Sequence, residues 1–337
     1  MKKRILITLS ALLVVCILLA FLQALVVPKY TDNKEGALIP EYYGEAGEHD
    51  LLFIGDCEVY ESFIPAVLWE EYGISSYVRG SAQQLVWQSY YLLEDTLRYE
   101  TPKAVVFNVL ALKYGEPQNE AYNRMTLDGM KWSGSKIGAI NASMTEDESF
   151  IEYLFPILRF HSRITELSSD DLRYAFKSPK VSHSGYLMQT GIVPRTDFSE
   201  GREQLDYTIS DNSWKYLDMM NQLCRENGIE LILVKAPTNS WQFFWHDEWE
   251  EQVVDYAQKN QLAYYNLIPL CDEIGIDWSQ DTYDAGAHLN VYGAEKTTRY
   301  FGRILANEHK LGDRRGESAL ASEWQIRLDR YYKERNQ

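Results

Sequence analysis

Between residues 50 and 308 the chain alternates short strand-like runs with helix-length stretches, and this alternation restricts its folding options most. The runs are DLLFIG (50–55), ISSYVRG (74–80), KAVVFNVLAL (103–112), IELILVKAP (229–237) and LAYYNL (262–267). DLLFIG is continuously apolar, as a strand buried on both faces is. PAVLWEEYG (65–73) reads as a helix, with Pro65 in its first turn and Gly73 as its stop. QLVWQSYYLLEDTLRYE (84–100) places Leu85, Tyr91 or Leu92, and Leu97 at helical spacing. Residues 213–228, 248–260 and 290–308 also read as helices. Such alternation predicts βαβ units and an α/β fold around a mostly parallel sheet. Ligands of such sheets bind at the carboxyl ends of the strands. Gly55, Gly80, Asn108, Pro237 and the loop after Leu267 all fall on that edge.

Residues 113–212 break the rhythm and predict a cap-like insertion, with helical pieces such as FIEYLFPILRFHSRITEL (150–167). Within it His161 stands between Arg159 and Arg163, a pattern that fits a salt-bridged cap helix better than an anion site. In the tail, 311–337, one helical face carries Leu320, Trp324, Leu328 and Tyr331 and is expected to dock on the main domain.

The N-terminus bears on location. Lys2, Lys3 and Arg4, within a short tail of residues 1–4, precede 5–27, a stretch without a charged residue. That exceeds the ~20 residues needed to cross a hydrocarbon core. Basic residues stay on the cytoplasmic side, so the bulk of the chain is expected outside the cell membrane. A cleaved signal peptide is the alternative, but its apolar core is usually only about 7–15 residues and ends in a small-x-small site. The segment therefore reads as a single-pass signal anchor, followed by a polar spacer over 28–48 and the main domain over 49–310.

The chain has 49 acidic and 33 basic residues; three of the basic ones precede the apolar run, so the remainder carries a formal charge of −19. That argues against nucleic acid, which rewards a basic footprint. Cys57, Cys224 and Cys271 lie beyond the apolar run, an odd number that leaves at least one thiol unpaired within the chain. Cys224 and Cys271 could pair with each other.

The unpaired candidate is Cys57, in LLFIGDCEVYESF (51–63), where a buried strand ends at Gly55 and hands over to Asp56, Cys57 and Glu58. A nucleophilic thiol needs a base, a group orienting that base and donors for an oxyanion. DTYDAGAHLNVYGAEK (281–296) supplies His288 as base and Asp284, four residues earlier, as its orienter. Gly80 can bring a backbone N–H close to substrate, and Asn108 offers a side-chain amide within an apolar strand. Such an imidazole partner is expected to lower the thiol below its ordinary value of about 8.5.

These residues resemble the blocks of the SGNH (GDSL-type) hydrolase superfamily. Gly55-Asp56-Cys57 is similar to its nucleophile block, with cysteine in place of the usual serine; Gly80 and Asn108 are similar to its oxyanion positions. Asp284 with His288-Leu289-Asn290 resembles its final block, with one residue more than usual between Asp and His. GDCEVYESFIP and HLNVYGAEK look most like the extracytoplasmic, membrane-anchored branch, which includes the D-alanyl-transfer protein of teichoic-acid operons and the alginate O-acetylation proteins. The resemblance covers roughly 50–112 and 213–308. It implies a three-layer, flavodoxin-like domain that hydrolyses or transfers acyl esters on an envelope or secreted glycan. It further implies an acyl donor, a membrane acyl-exporting partner and no cofactor.

Asp56, Glu58, Trp241 and Trp245 are further candidates for contact with substrate. Trp241, Trp245 and Trp249 recur every four residues, a stripe that more often marks core than a sugar platform. No metal site is expected, because adjacent His246, Asp247 and Glu248 would point apart on a helix. Two other readings stay open: an inactive module binding glycan or a membrane partner, and an assembly subunit.

Overall fold

A computed structural model describes residues 1–196, 201–240, 243–309 and 311–337. Five strands, β1 (Leu51–Gly55), β2 (Ser76–Gly80), β3 (Ala104–Asn108), β4 (Glu230–Lys235) and β5 (Ala263–Asn266), form one parallel sheet in the order β2-β1-β3-β4-β5. The alternating side chains of the central strands explain the two covered faces. Leu51 and Phe53 of β1 enter one apolar cluster, with the Pro65–Tyr72, Val291–Glu308 and Ser318–Arg335 helices. Leu52 and Ile54 enter the other, with the Val86–Thr96, Asp211–Glu226 and Asp247–Asn260 helices. The fold is α/β with three layers, and its N-terminal helix, Lys2–Val26, is long and apolar enough to span a membrane.

The strand order reverses between β1 and β3, which opens the crevice where sheets of this kind bind ligands. Both strands deliver a polar residue there, Asp56 just after β1 and Asn108 at the end of β3. The β2 edge is closed by the insertion, where Val78 N–H donates to Ser184 O at 3.0 Å. A Cβ on Gly185 would lie 1.9 Å from Val78 O, so only glycine permits this approach.

The tail docks as its pattern predicts, with Trp324 stacked on Trp69 at 5.2 Å between ring centres. Three expectations need correction. The third strand stops at Asn108, not Leu112, and Val109–Lys113 turns as a 3₁₀ helix with apolar residues 109–112 still buried. The stretch 150–167 is broken at Pro156 into Phe150–Leu154, Ile157–Phe160 and a 3₁₀ turn, because proline disfavours helix at the residue before it. Residues 28–48 are not a spacer: Leu38, Ile39 and Tyr42 are buried. There the Arg79 guanidinium lies 4.0 Å above the Tyr42 ring and pairs with buried Asp95 at 2.9 Å. Cys224 and Cys271 remain unpaired thiols, in apolar clusters on opposite faces of the sheet.

Candidate active site

The chain leaves β1 at Gly55, and Asp56 caps the short Cys57–Ser62 helix by accepting from Glu58 N–H at 3.2 Å. A Cβ on Gly55 would lie 2.5 Å from Val59 Cγ2 and 3.0 Å from Asn108 Cβ, so glycine lets the turn close against β3. Cys57 is thereby the first helical residue, whose N–H has no intrahelical acceptor. Gly80 pairs in register with Gly55, and a Cβ there would meet the carbonyls of Gly55 and Asp56 at 3.0 and 3.4 Å. Gly80 therefore fixes how closely β2 approaches the turn after β1.

His288 arrives from a loop held at both ends. Ala285 and Gly286 have positive φ, 62° and 96°, and Gly286 N–H donates to Thr282 Oγ1 at 2.8 Å. Thr238, just after β4, donates from Oγ1 to Ala287 O at 3.1 Å. This turn brings Asp284 back against His288. Asp284 Oδ1 accepts from His288 N–H at 2.8 Å, and Oδ2 lies 2.6 Å from Nδ1. The imidazole also packs against Phe243, with ring centres 5.0 Å apart.

Sequence reasoning missed a second carboxylate here. Glu61, one turn beyond Cys57, is buried with Oε2 3.4 Å from His288 Nδ1, and Oε1 accepts from Tyr283 O–H at 2.7 Å. Two carboxylates thus face Nδ1, while the other ring nitrogen, Nε2, is buried without a hydrogen-bond partner. The Cys57 thiol lies close enough for its charge and that of the imidazole to act on each other.

Burial pushes the Cys57 thiol up to about 11, against the opposing pull of His288. This reverses the expectation of a thiol below its ordinary range, because Cys57 is only 8 % exposed. Burial works to lower His288, but the charges of Cys57 and Glu61 and the Asp284 hydrogen bond outweigh it and hold the imidazolium well above its ordinary range. Glu61 is raised by burial to about 7, against the charge of His288 and the Tyr283 hydrogen bond. A basic imidazole beside the thiol favours proton transfer as sulfur attacks.

The remaining predicted residues take other tasks. Asn108 donates from Nδ2 to Asp56 Oδ1 at 3.0 Å and to Glu58 Oε2 at 2.9 Å, and its Oδ1 accepts from Ala236 N–H at 3.0 Å. Both amide hydrogens are used, so the Asn108 side chain has no donor left for an oxyanion. Asp56 and Glu58 are buried in this network and do not line a substrate surface; Lys235 Nζ closes it on Glu58. Burial and the charge of Glu58 raise Asp56 to about 7, against Lys235, Asn108 and Lys113. Trp245 is a core residue, with its Nε1–H donated to Glu250 at 2.7 Å. Trp241 lies outside the described residues. Trp249 instead lines a groove of about 290 Å³ with Lys113, Tyr114, Phe244 and His246. Burial lowers Lys113 in this groove, against the charges of Glu58, Asp56 and Cys57.

No family model matches the sequence, and no curated protein matches it.

Proposed function

We propose that the chain is a single-pass, extracytoplasmic acyltransferase of the SGNH type acting on an envelope or secreted glycan. The observation carrying this reading is the Asp284–His288 pair, closed at 2.6 Å, with the Cys57 thiol near enough for it and the imidazole to act on each other's protonation. From the state in which His288 has lost its ring proton, Cys57 sulfur attacks the carbonyl of an acyl donor while the thiol proton passes to the neutral imidazole. The oxyanion meets the backbone N–H groups of Cys57 and Gly80. Collapse expels the leaving group with the proton from His288 and leaves an acyl-thioester on Cys57. His288 then takes the proton of an acceptor hydroxyl, which attacks the thioester, forms the ester and releases the thiolate to be reprotonated. Asp284 and Glu61 hold the charged imidazolium that each step generates.

Tyr114, Phe244 and Trp249 along the groove support a sugar acceptor, since aromatic faces cover pyranose rings. The apolar helix supports membrane anchoring, and the donor side of the reaction then falls to a membrane acyl-exporting partner. One observation favours the alternative of an inactive module binding glycan or a partner: the burial that raises the Cys57 thiol. The two readings part on one experiment, in which the full chain in detergent meets p-nitrophenyl acetate with and without an oligosaccharide. The proposal expects an acetyl group on the Cys57 peptide, lost in His288→Ala, and ester on the sugar when it is present. No Cys57 adduct supports the binding module, and free acid alone with sugar present overturns transfer in favour of hydrolysis.

A further inference from the structure

The insertion exposes large apolar side chains where it meets the N-terminal helix. Phe155, Leu158, Ile164, Leu172 and Phe176 are each 44–78 % exposed. Soluble monomers rarely gather so much exposed apolar surface without a partner for it. The Ile157–Phe160, His161–Thr165 and Ser169–Tyr174 segments all touch the Lys2–Val26 helix.

The junction is built rather than incidental. Arg163 Nη1 donates to Val26 O at 2.5 Å while its Nη2 holds Asp171 at 2.8 Å. Lys29 Nζ donates to Ala24 O at 2.6 Å and also to Val27 O. These cations satisfy carbonyls at the end of the helix, which has no further turn to do so. Arg163 ties the insertion to the end of the helix at a fixed height.

That height identifies what covers the apolar face. The uncharged run covers residues 5–27, and a hydrocarbon core takes about 20 residues of helix. Whichever consecutive 20 are immersed, Phe21 is among them. The Phe176 ring stacks on Phe21, with ring centres 6.2 Å apart and planes at 29°. Phe176 therefore shares the depth of a residue inside the span.

We propose that residues 155–176 form a lipid-immersed collar, lying in the leaflet from which the Lys2–Val26 helix emerges, with the bilayer covering their apolar side chains. The collar holds the main domain at a set height over the membrane. It needs the helix to cross a bilayer but not the acyl-transfer reading. Apolar side chains carried on short helices at the acyl boundary are how monotopic segments bind membranes.

The test uses the full chain in phosphatidylcholine–phosphatidylglycerol nanodiscs, with nitroxide labels read for collision with oxygen, which partitions into lipid, and with a water-soluble nickel chelate. Native Cys16 in the helix, labelled in a Cys57→Ser background, reports the bilayer. Leu172→Cys and Phe176→Cys, each with Cys16→Ala and Cys57→Ser, report the collar, and Ile326→Cys in the same background reports the exposed C-terminal helix. The expected result is oxygen collision exceeding nickel collision at Cys16 and at both collar labels, with the order reversed at Ile326. Collar labels that follow Ile326 while Cys16 follows lipid overturn the collar and leave the anchor standing. Collar labels shielded from both reagents mean that a second copy or another protein covers the face, and also overturn it. A Cys16 label in water overturns the anchor and the collar together.

Discussion

Lys235 Nζ lies 2.7 and 2.8 Å from the two carboxylate oxygens of Glu58, and both side chains are withdrawn from solvent. The pair joins the end of β4 to the residue after Cys57, with Asn108 of β3 bonded to the same carboxylate. Two strands, β3 and β4, and the helix that follows β1 are thereby locked to one another.

Removing either charge alone strands the other in a dry interior. Lys235→Met and Glu58→Gln are each expected to cost about 3–5 kcal/mol. The Glu58→Gln/Lys235→Met double variant should recover a large part of that loss, because no uncompensated charge remains. Thermal unfolding of the four proteins in detergent checks this; additive losses would show that the two groups act independently.

Glu61 gives the fold a pH signature. Its folded value of about 7 lies above the ordinary 4.5, so the folded chain holds this proton more tightly than the unfolded chain does. The resulting stabilisation is complete below about 4.5 and is lost as pH rises to about 7, where the buried carboxylate costs on the order of 3 kcal/mol. Glutamine does not titrate. The stability of Glu61→Gln relative to the native chain should therefore climb between pH 4.5 and 7 and level off above. Melting both across that range reads the difference, and a constant offset would contradict the assigned burial of the carboxyl.

Gly80→Ala tests the turn geometry. The added methyl would stand 3.0 Å from Gly55 O and 3.2 Å from the Tyr60 ring, where backbone cannot yield cheaply. The expected cost is about 1–3 kcal/mol, together with slower acylation of Cys57 by p-nitrophenyl acetate. A variant that melts lower yet acylates at the native rate would remove Gly80 from the site and leave it a packing role.

The parallel sheet and its helices were legible because burial on both faces writes itself as short apolar runs, and Cys57, Asp284 and His288 because their residue types stood at the ends of those elements. Asn108 was visible as a polar residue in an apolar strand, but its partners were not, since they come from β4 and the turn after β1. Lys235 ends the apolar run LILV (231–234) of β4, and a lone cation there signals a buried partner. Glu61 falls one helical turn after Cys57, a spacing that puts both on one face; an acidic residue among Val59, Tyr60 and Phe63 was the available signal. The packing of 28–48 was hidden by its turn-rich composition, which masked the buried Leu38, Ile39 and Tyr42.

The central claim is that His288 serves the Cys57 thiol, and the pH dependence of iodoacetamide alkylation at the Cys57 peptide measures it without knowledge of a substrate. Burial raises the thiol and His288 is the first group opposing that rise. The account predicts that His288→Ala moves the alkylation midpoint to higher pH than in the native chain, while the Cys224 and Cys271 peptides stay unchanged. Superimposable Cys57 profiles in the two proteins would contradict it.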